Sequence, residues 1–175
     1  MEYLYDESTV YLILFVVAFF ASLIDSIAGG GGLLTTPSML LVGISPLNVL
    51  ATNKFQSCFG TFTSTFNYYK NGLLVEKNKR LYFILSFVGS SIGTLLVSRI
   101  SNETLESIIP ILLIGAAVFF ITNKGPSGVS RNQKLLLFFN LFVFAIGFYD
   151  GFFGPGTGFF FVLTFITIKG ANIMQ

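Results

Sequence analysis

The sequence contains no histidine and no tryptophan, and it has a single cysteine, Cys58. One cysteine cannot form a disulfide within the chain. Without histidine, the Cys/His clusters that hold structural zinc or iron–sulfur centres are excluded, as is haem ligation through histidine. We therefore expect no metal site, no cofactor and no catalytic residues. Cys58 lies in an apolar run, which favours a buried, inert thiol over a reactive one.

Charge is equally scarce. Only 10% of the residues are charged and 53% are hydrophobic, and the mean hydropathy is +0.79. Soluble domains carry about 25% charged residues, so this chain cannot cover a water-facing surface. The net charge of +2 is too small to indicate a nucleic-acid partner. The composition predicts an all-α, polytopic membrane protein whose main partner is the lipid bilayer.

Apolar segments recur along the chain with short polar breaks. The predicted helices are Val10–Ala28, Leu33–Val42, Pro46 to about Lys70, Leu81–Val97, Leu105–Ile121, Leu135–Tyr149 and Phe159–Ile168. Thr36-Pro37 and Ser45-Pro46 are both typical helix-start signals, an N-cap followed by proline at the first helical position. The second and last helices are too short to cross a bilayer. Gly89 and Gly93 have the small-xxx-small spacing that allows close helix packing.

Loop charge predicts the orientation. The basic residues of two connecting loops are Lys70, Lys77, Lys79 and Arg80, and then Lys124, Arg131 and Lys134. The N-terminal tail is acidic. The positive-inside rule places both basic loops in the cytoplasm and the N-terminus outside.

Two segments share a pattern. In each, an apolar helix reaches an aspartate, Asp25 or Asp150, and a glycine-rich break begins four residues later, at Gly29–Gly32 or Gly154–Gly158. The predicted topology makes the two helices run in opposite directions. Inverted repeats with paired broken helices indicate the central site of a secondary transporter. Glycine is common in membrane helices, so one break alone would mean little; two at matching positions favour function.

The chemistry of these breaks suits an anion. A glycine run that leads into a helix N-terminus presents backbone N–H donors beside the positive end of the helix dipole. The helix from Pro46 adds a polar face opposite a phenylalanine stripe. That face contains Asn53, Ser57, Gly60, Thr61, Ser64 and Tyr68, and the stripe contains Phe55, Phe59, Phe62 and Phe66. A soluble amphipathic helix would show the same pattern but would carry more charge, so the polar face favours a water-filled path.

Three charged residues, Lys54, Asp25 and Asp150, are candidates for the site. Lys54 is costly near mid-membrane and needs compensation, so it is a candidate for attracting the anion, with a structural pair to Asp25 as the alternative. Asp25 and Asp150 could carry a coupling proton or cap the glycine loops by accepting backbone N–H bonds; the capping interpretation is favoured.

The residues Asp25 through Gly32, then Pro37, Gly43 and the string 51–54 (Ala-Thr-Asn-Lys) resemble the first half of the sulfite exporter TauE/SafE family, and 150–158 resemble its second-repeat signature. The resemblance implies an inner-membrane, multi-pass transporter with two inverted halves. It implies a small anionic substrate such as sulfite, sulfonates or related organosulfur anions. The substrate-binding residues expected from the resemblance and the polar face are Gly29, Gly30, Gly31, Gly32, Asn53, Lys54, Ser57, Gly154, Gly156, Thr157 and Gly158.

The chain stops at Gln175, where the second Ala-Thr string of the family would begin. We therefore expect a first repeat over 1–128 and the start of an incomplete second repeat over 129–175. A non-transporting half that needs a complementing chain, or a homo-oligomer, stays open. An intramembrane aspartyl protease is disfavoured, because Asp25 follows Ser22-Leu23-Ile24 where such enzymes have Gly-x-Gly before the aspartate.

Overall fold

The computed structural model describes residues 6–28, 30–72, 78–122 and 138–169. These residues are helices joined by short connections, so the all-α prediction is confirmed. The helices are α1 (Glu7–Ala28), α2 (Gly32–Leu41), α3 (Pro46–Lys70), α4 (Lys79–Val97), α5 (Asn102–Thr122), α6 (Phe139–Phe152) and α7 (Thr157–Thr164), which continues into a π-helical turn (Phe165–Lys169). The predicted start at Leu135 and the loop residues Lys77, Lys124, Arg131 and Lys134 lie outside the described residues.

Three of the described helices are long and apolar enough to cross a bilayer. These stretches are Glu7–Asp25, Lys79–Val97 and Asn102–Thr122. At 1.5 Å per residue, α2 and α7 measure only about 15 Å and 12 Å, about half of the hydrocarbon thickness or less. Helix α3 has the length, with 25 residues, but its polar face lowers its hydropathy. The chain is a multi-pass membrane protein.

The two proline start signals have different outcomes. Ser45-Pro46 is confirmed, because Ser45 is the extended N-cap residue and Pro46 opens α3. The start at Thr36-Pro37 is wrong: α2 begins at Gly32 and Pro37 lies inside it. The physical reason is local, since Gly31 already has helical dihedral angles and its carbonyl accepts the N–H of Thr35. Membrane helices tolerate an internal proline of this kind.

Helices α4 and α6 are packed backbone to backbone. A Cβ added at Gly89 would lie 2.5 Å from the Phe144 carbonyl oxygen, and one at Gly93 would lie 2.3 Å from that of Phe148. From the other side, a Cβ at Gly151 would lie 2.0 Å from the Ser90 oxygen. The predicted close packing at the small-xxx-small spacing is therefore confirmed. This contact fixes α6, which carries the second glycine break at its end.

A buried apolar cluster holds the second break against α3 and α5. Phe153, directly after α6, is 1% exposed and packs with Leu50 of α3 and with Leu105 and Ile109 of α5. The position of the glycine residues that follow is thus set by helices far away in the sequence.

Candidate functional site

The two glycine breaks lie against each other. A Cβ at Gly32, the first residue of α2, would lie 3.0 Å from the Cα of Pro155 in the second break. The Phe120 ring of α5 packs behind both breaks, 3.2 Å from a Cβ at Gly30 and 3.4 Å from one at Gly156. Residues more than 120 positions apart in the sequence therefore bring the N-termini of α2 and α7 to one place.

The first break is closed by Asp25. Its Oδ1 accepts the Gly31 N–H at 2.9 Å, so one amide of the glycine run is bonded within the protein. The N–H groups of Leu33 and Leu34 donate to the carbonyls of Gly30 and Gly31. A Cβ at Gly31 would lie 2.5 Å from the Ala21 oxygen, so this residue must be glycine for packing reasons alone.

The second break keeps open amides. Gly154 and Gly156 have φ values of +95° and +83°, which favour glycine. The Tyr149 hydroxyl donates to the Pro155 carbonyl at 2.9 Å and braces the turn. Thr157 donates from its N–H and its hydroxyl to the Gly154 carbonyl. Within the described residues, the N–H groups of Gly156 and Gly158 donate no hydrogen bond, and both stand at the N-terminus of α7.

Asn53 lies between the breaks. Its side-chain amide is 3.2 Å from a Cβ at Gly32, and only 5% of the residue is exposed. The Thr35 hydroxyl donates to Asn53 Oδ1 at 3.2 Å. The Thr35 hydroxyl also lies 3.4 Å from the Gly31 carbonyl oxygen. Its contact with Oδ1 orients the amide, and Nδ2 remains a hydrogen-bond donor. Sequence reasoning missed Thr35; the available signal was the pair of hydroxyl residues Thr35-Thr36 in a short, mostly apolar helix.

Lys54 forms an ion pair with Asp150. Its Nζ lies 3.1 Å from Asp150 Oδ2, so the alternative pair with Asp25 is corrected to Asp150. The reason is that the Asp25 carboxylate is turned to the Gly31 amide, whereas Lys54 points at the second break. The two aspartates therefore differ in their contacts: Asp25 accepts a backbone N–H, and Asp150 pairs with a side-chain ammonium.

The breaks, α1 and the polar face of α3 line a cavity of about 700 Å³. The predicted site residues on its wall are Asp25, Gly31, Gly32, Asn53, Ser57, Asp150, Gly154, Gly156, Thr157 and Gly158. Gly60, Thr61, Ser64 and Tyr68 of the predicted polar face line it as well. Gly30 and Lys54 are not on the wall, and Gly29 lies outside the described residues.

Cys58 is exposed, not buried as predicted, because the C-terminal part of α3 extends beyond the packed helices.

Comparison with known proteins identifies the family. A family model described as sulfite exporter TauE/SafE matches residues 14–175. The probable membrane transporter protein ORF9 of Sinorhizobium sp is 43% identical over 164 residues, which cover 93% of this chain and 63% of the relative. The probable membrane transporter protein YfcA of Escherichia coli K12 is 40% identical over 165 residues, which cover 93% of this chain and 61% of the relative.

A more distant plant relative is also similar. The sulfite exporter TauE/SafE family protein 6 of Arabidopsis thaliana is 26% identical over 108 residues, which cover 61% of this chain and 25% of that protein. No solved structure matches the chain. The chain spans 61% to 63% of the length of the two bacterial relatives above, whose names are those of transporters rather than enzymes. On the family match and these identities, the chain belongs to the sulfite exporter TauE/SafE family.

Proposed function

We propose that this chain forms part of an inner-membrane secondary transporter for a small oxyanion, with sulfite, sulfonates or related organosulfur anions as the substrate class. The observation that carries the proposal is the meeting of two glycine breaks at one cavity, with the Gly156 and Gly158 amides open at a helix N-terminus. Backbone N–H donors at the positive end of a helix dipole bind an oxyanion without a basic side chain.

The other polar groups on the cavity wall fit the same chemistry. Asn53 presents Nδ2 as a donor, and the contact of Thr35 with its Oδ1 orients the amide. An oxyanion with several oxygens accepts several hydrogen bonds, and both α3 and the N-terminus of α7 place donors on the cavity wall. The name of the Arabidopsis relative supports sulfite as the first substrate to test.

The direct test is anion flux. Purified chain in proteoliposomes is assayed for efflux of sulfite and of methanesulfonate, beside a version extended at its C-terminus with the remaining helices of the Escherichia coli relative. Flux above that of empty liposomes in either preparation supports the proposal. Absence of flux and of anion binding in both rejects it.

A second candidate function is a structural half that transports only with a complementing chain. The observation in its favour is the exposure of α3 beyond Ser57: every described residue from Cys58 to Gly72 is exposed, and the polar ones among them need cover in a bilayer. Flux only from the extended version supports this candidate. Equal flux from both versions rejects it.

Lys54→Gln tests the charge near the breaks. We expect flux to fall by roughly tenfold or more, since the substitution removes a cation compensated inside the protein, while membrane insertion is retained. Lys70→Gln, at the exposed end of the same helix, is the matched control and leaves flux unchanged. Wild-type flux in Lys54→Gln rejects a role for this ammonium.

A further inference from the structure

We propose that Asp150 and the transported anion compete for the Lys54 ammonium, so that Asp150 sets how tightly the anion is held. This inference rests on the proposed anion function and goes beyond it, because it assigns a specificity role to a carboxylate on the cavity wall. It concerns the ion pair between α3 and α6, which joins the two halves of the chain at the second break.

The Lys54 ammonium has unused bonding capacity. Although 27% of its side chain is exposed, the Nζ atom itself is buried and makes no hydrogen bond within the described residues. Its contact with Asp150 Oδ2, at 3.1 Å, is an ion pair without good hydrogen-bond geometry. An ammonium has three N–H donors, so an oxyanion with better hydrogen-bond geometry can replace Asp150 as the partner of Lys54.

The charged side chains on the cavity wall are negative and therefore repel an anion. Among the described residues, these side chains are Asp25 and Asp150. The Lys54 ammonium is not on the wall but lies next to it: its partner Asp150 and Gly154 both line the cavity, and a Cβ at Gly154 would lie 3.0 Å from Nζ. An arriving anion therefore contacts the ammonium only when Lys54 leaves Asp150 and turns, beside Gly154, toward the cavity.

This exchange predicts opposite effects of Asp150 on anion affinity and on the rate of anion release. With Asp150 charged, breaking its pair with Lys54 opposes anion binding, and re-forming the pair helps to expel the anion. Neutralising Asp150 leaves the ammonium free for the anion, so binding tightens and release slows. A carboxylate that merely held the fold would instead weaken binding when it is neutralised.

The experiment is a double-mutant cycle with methanesulfonate as the ligand, because methanesulfonate is a monoanion under the conditions of the assay. Binding to the purified chain in detergent is measured by titration calorimetry for wild type, Asp150→Asn, Lys54→Gln and the double variant. We expect Asp150→Asn to tighten binding about tenfold, or about 1.4 kcal/mol, and to lower maximal flux. In the Lys54→Gln background the same substitution has little effect. Asp150→Glu, which keeps the charge, does not reproduce the tightening seen in Asp150→Asn.

Unchanged or weaker binding in a folded Asp150→Asn variant overturns the inference, as does an equal gain with and without Lys54. No binding of sulfite or methanesulfonate by any variant, with no flux, rejects the proposed function itself.

Should Asp150→Asn fail to fold, a second pair of variants decides. Gly154→Ala and Gly156→Ala carry the same strain of positive φ, but only the first places a Cβ against Lys54 Nζ. Binding weakened at least tenfold more in Gly154→Ala supports the exchange, and equal effects overturn it.

Discussion

Gly151 lies where the backbones of α4 and α6 come closest. A Cβ there would lie 2.0 Å from the Ser90 oxygen and 2.6 Å from the Ser90 Cα, far inside the 3.4 Å at which ordinary contact begins. All of these are backbone atoms, so no side chain can turn aside. Gly151→Ala must therefore push the two helices apart along an interface that also holds Gly89, Gly93 and Gly147.

The expected cost follows from overpacking. Inserting a methyl group into a tightly packed site costs about 1–3 kcal/mol, and we expect the upper end here because the obstacle is main chain. At about 2–4 °C per kcal/mol for a chain of this size, the melting temperature in detergent falls by roughly 6–12 °C. The control is Gly115→Ala in α5, where a Cβ meets nothing within 4 Å and alanine improves helix propensity by up to about 1 kcal/mol.

The distances also predict the order in which the Gly→Ala variants of this interface lose stability. Gly151→Ala should be the most destabilising, followed by Gly93→Ala, Gly89→Ala and Gly147→Ala, whose added Cβ atoms would lie 2.3, 2.5 and 2.7 Å from the nearest backbone atom. Thermal unfolding of each variant, followed by circular dichroism, measures the series. A Gly151→Ala variant as stable as Gly115→Ala would refute the packing described for α4 and α6.

Two further variants test hydrogen bonds that shape the site. Tyr149→Phe removes the donor to the Pro155 carbonyl and should cost about 1 kcal/mol. The loss is measured as faster amide hydrogen exchange at Phe153, Gly154 and Thr157, whose N–H groups are bonded within the turn, and unchanged exchange at these positions contradicts a stabilising role for this hydrogen bond. Thr35→Val removes the donor to Asn53 without changing the volume much, which should weaken methanesulfonate binding severalfold by letting the amide turn. Wild-type binding in Thr35→Val would show that Asn53 needs no such anchor.

The prediction from sequence and the structure differ at the first glycine break, in the residue at which α2 begins. Thr36-Pro37 matches the local pattern of an N-cap followed by proline at the first helical position, yet α2 starts at Gly32. A carboxylate six residues upstream, Asp25, takes the Gly31 amide, and this contact depends on how α1 ends. The predicted burial of Cys58 failed for a related reason, since apolar neighbours in the sequence do not decide which part of a helix is packed.

The sequence by itself determined the membrane environment, the helical class, the two glycine breaks and the polar face of α3. These follow from composition and from periods of a few residues, which act over one or two helical turns. The tertiary structure decided that Gly32 meets Pro155 and that Lys54 pairs with Asp150. Such contacts depend on how closely α4 and α6 pack and on where α5 supports both breaks, distances that no local pattern encodes.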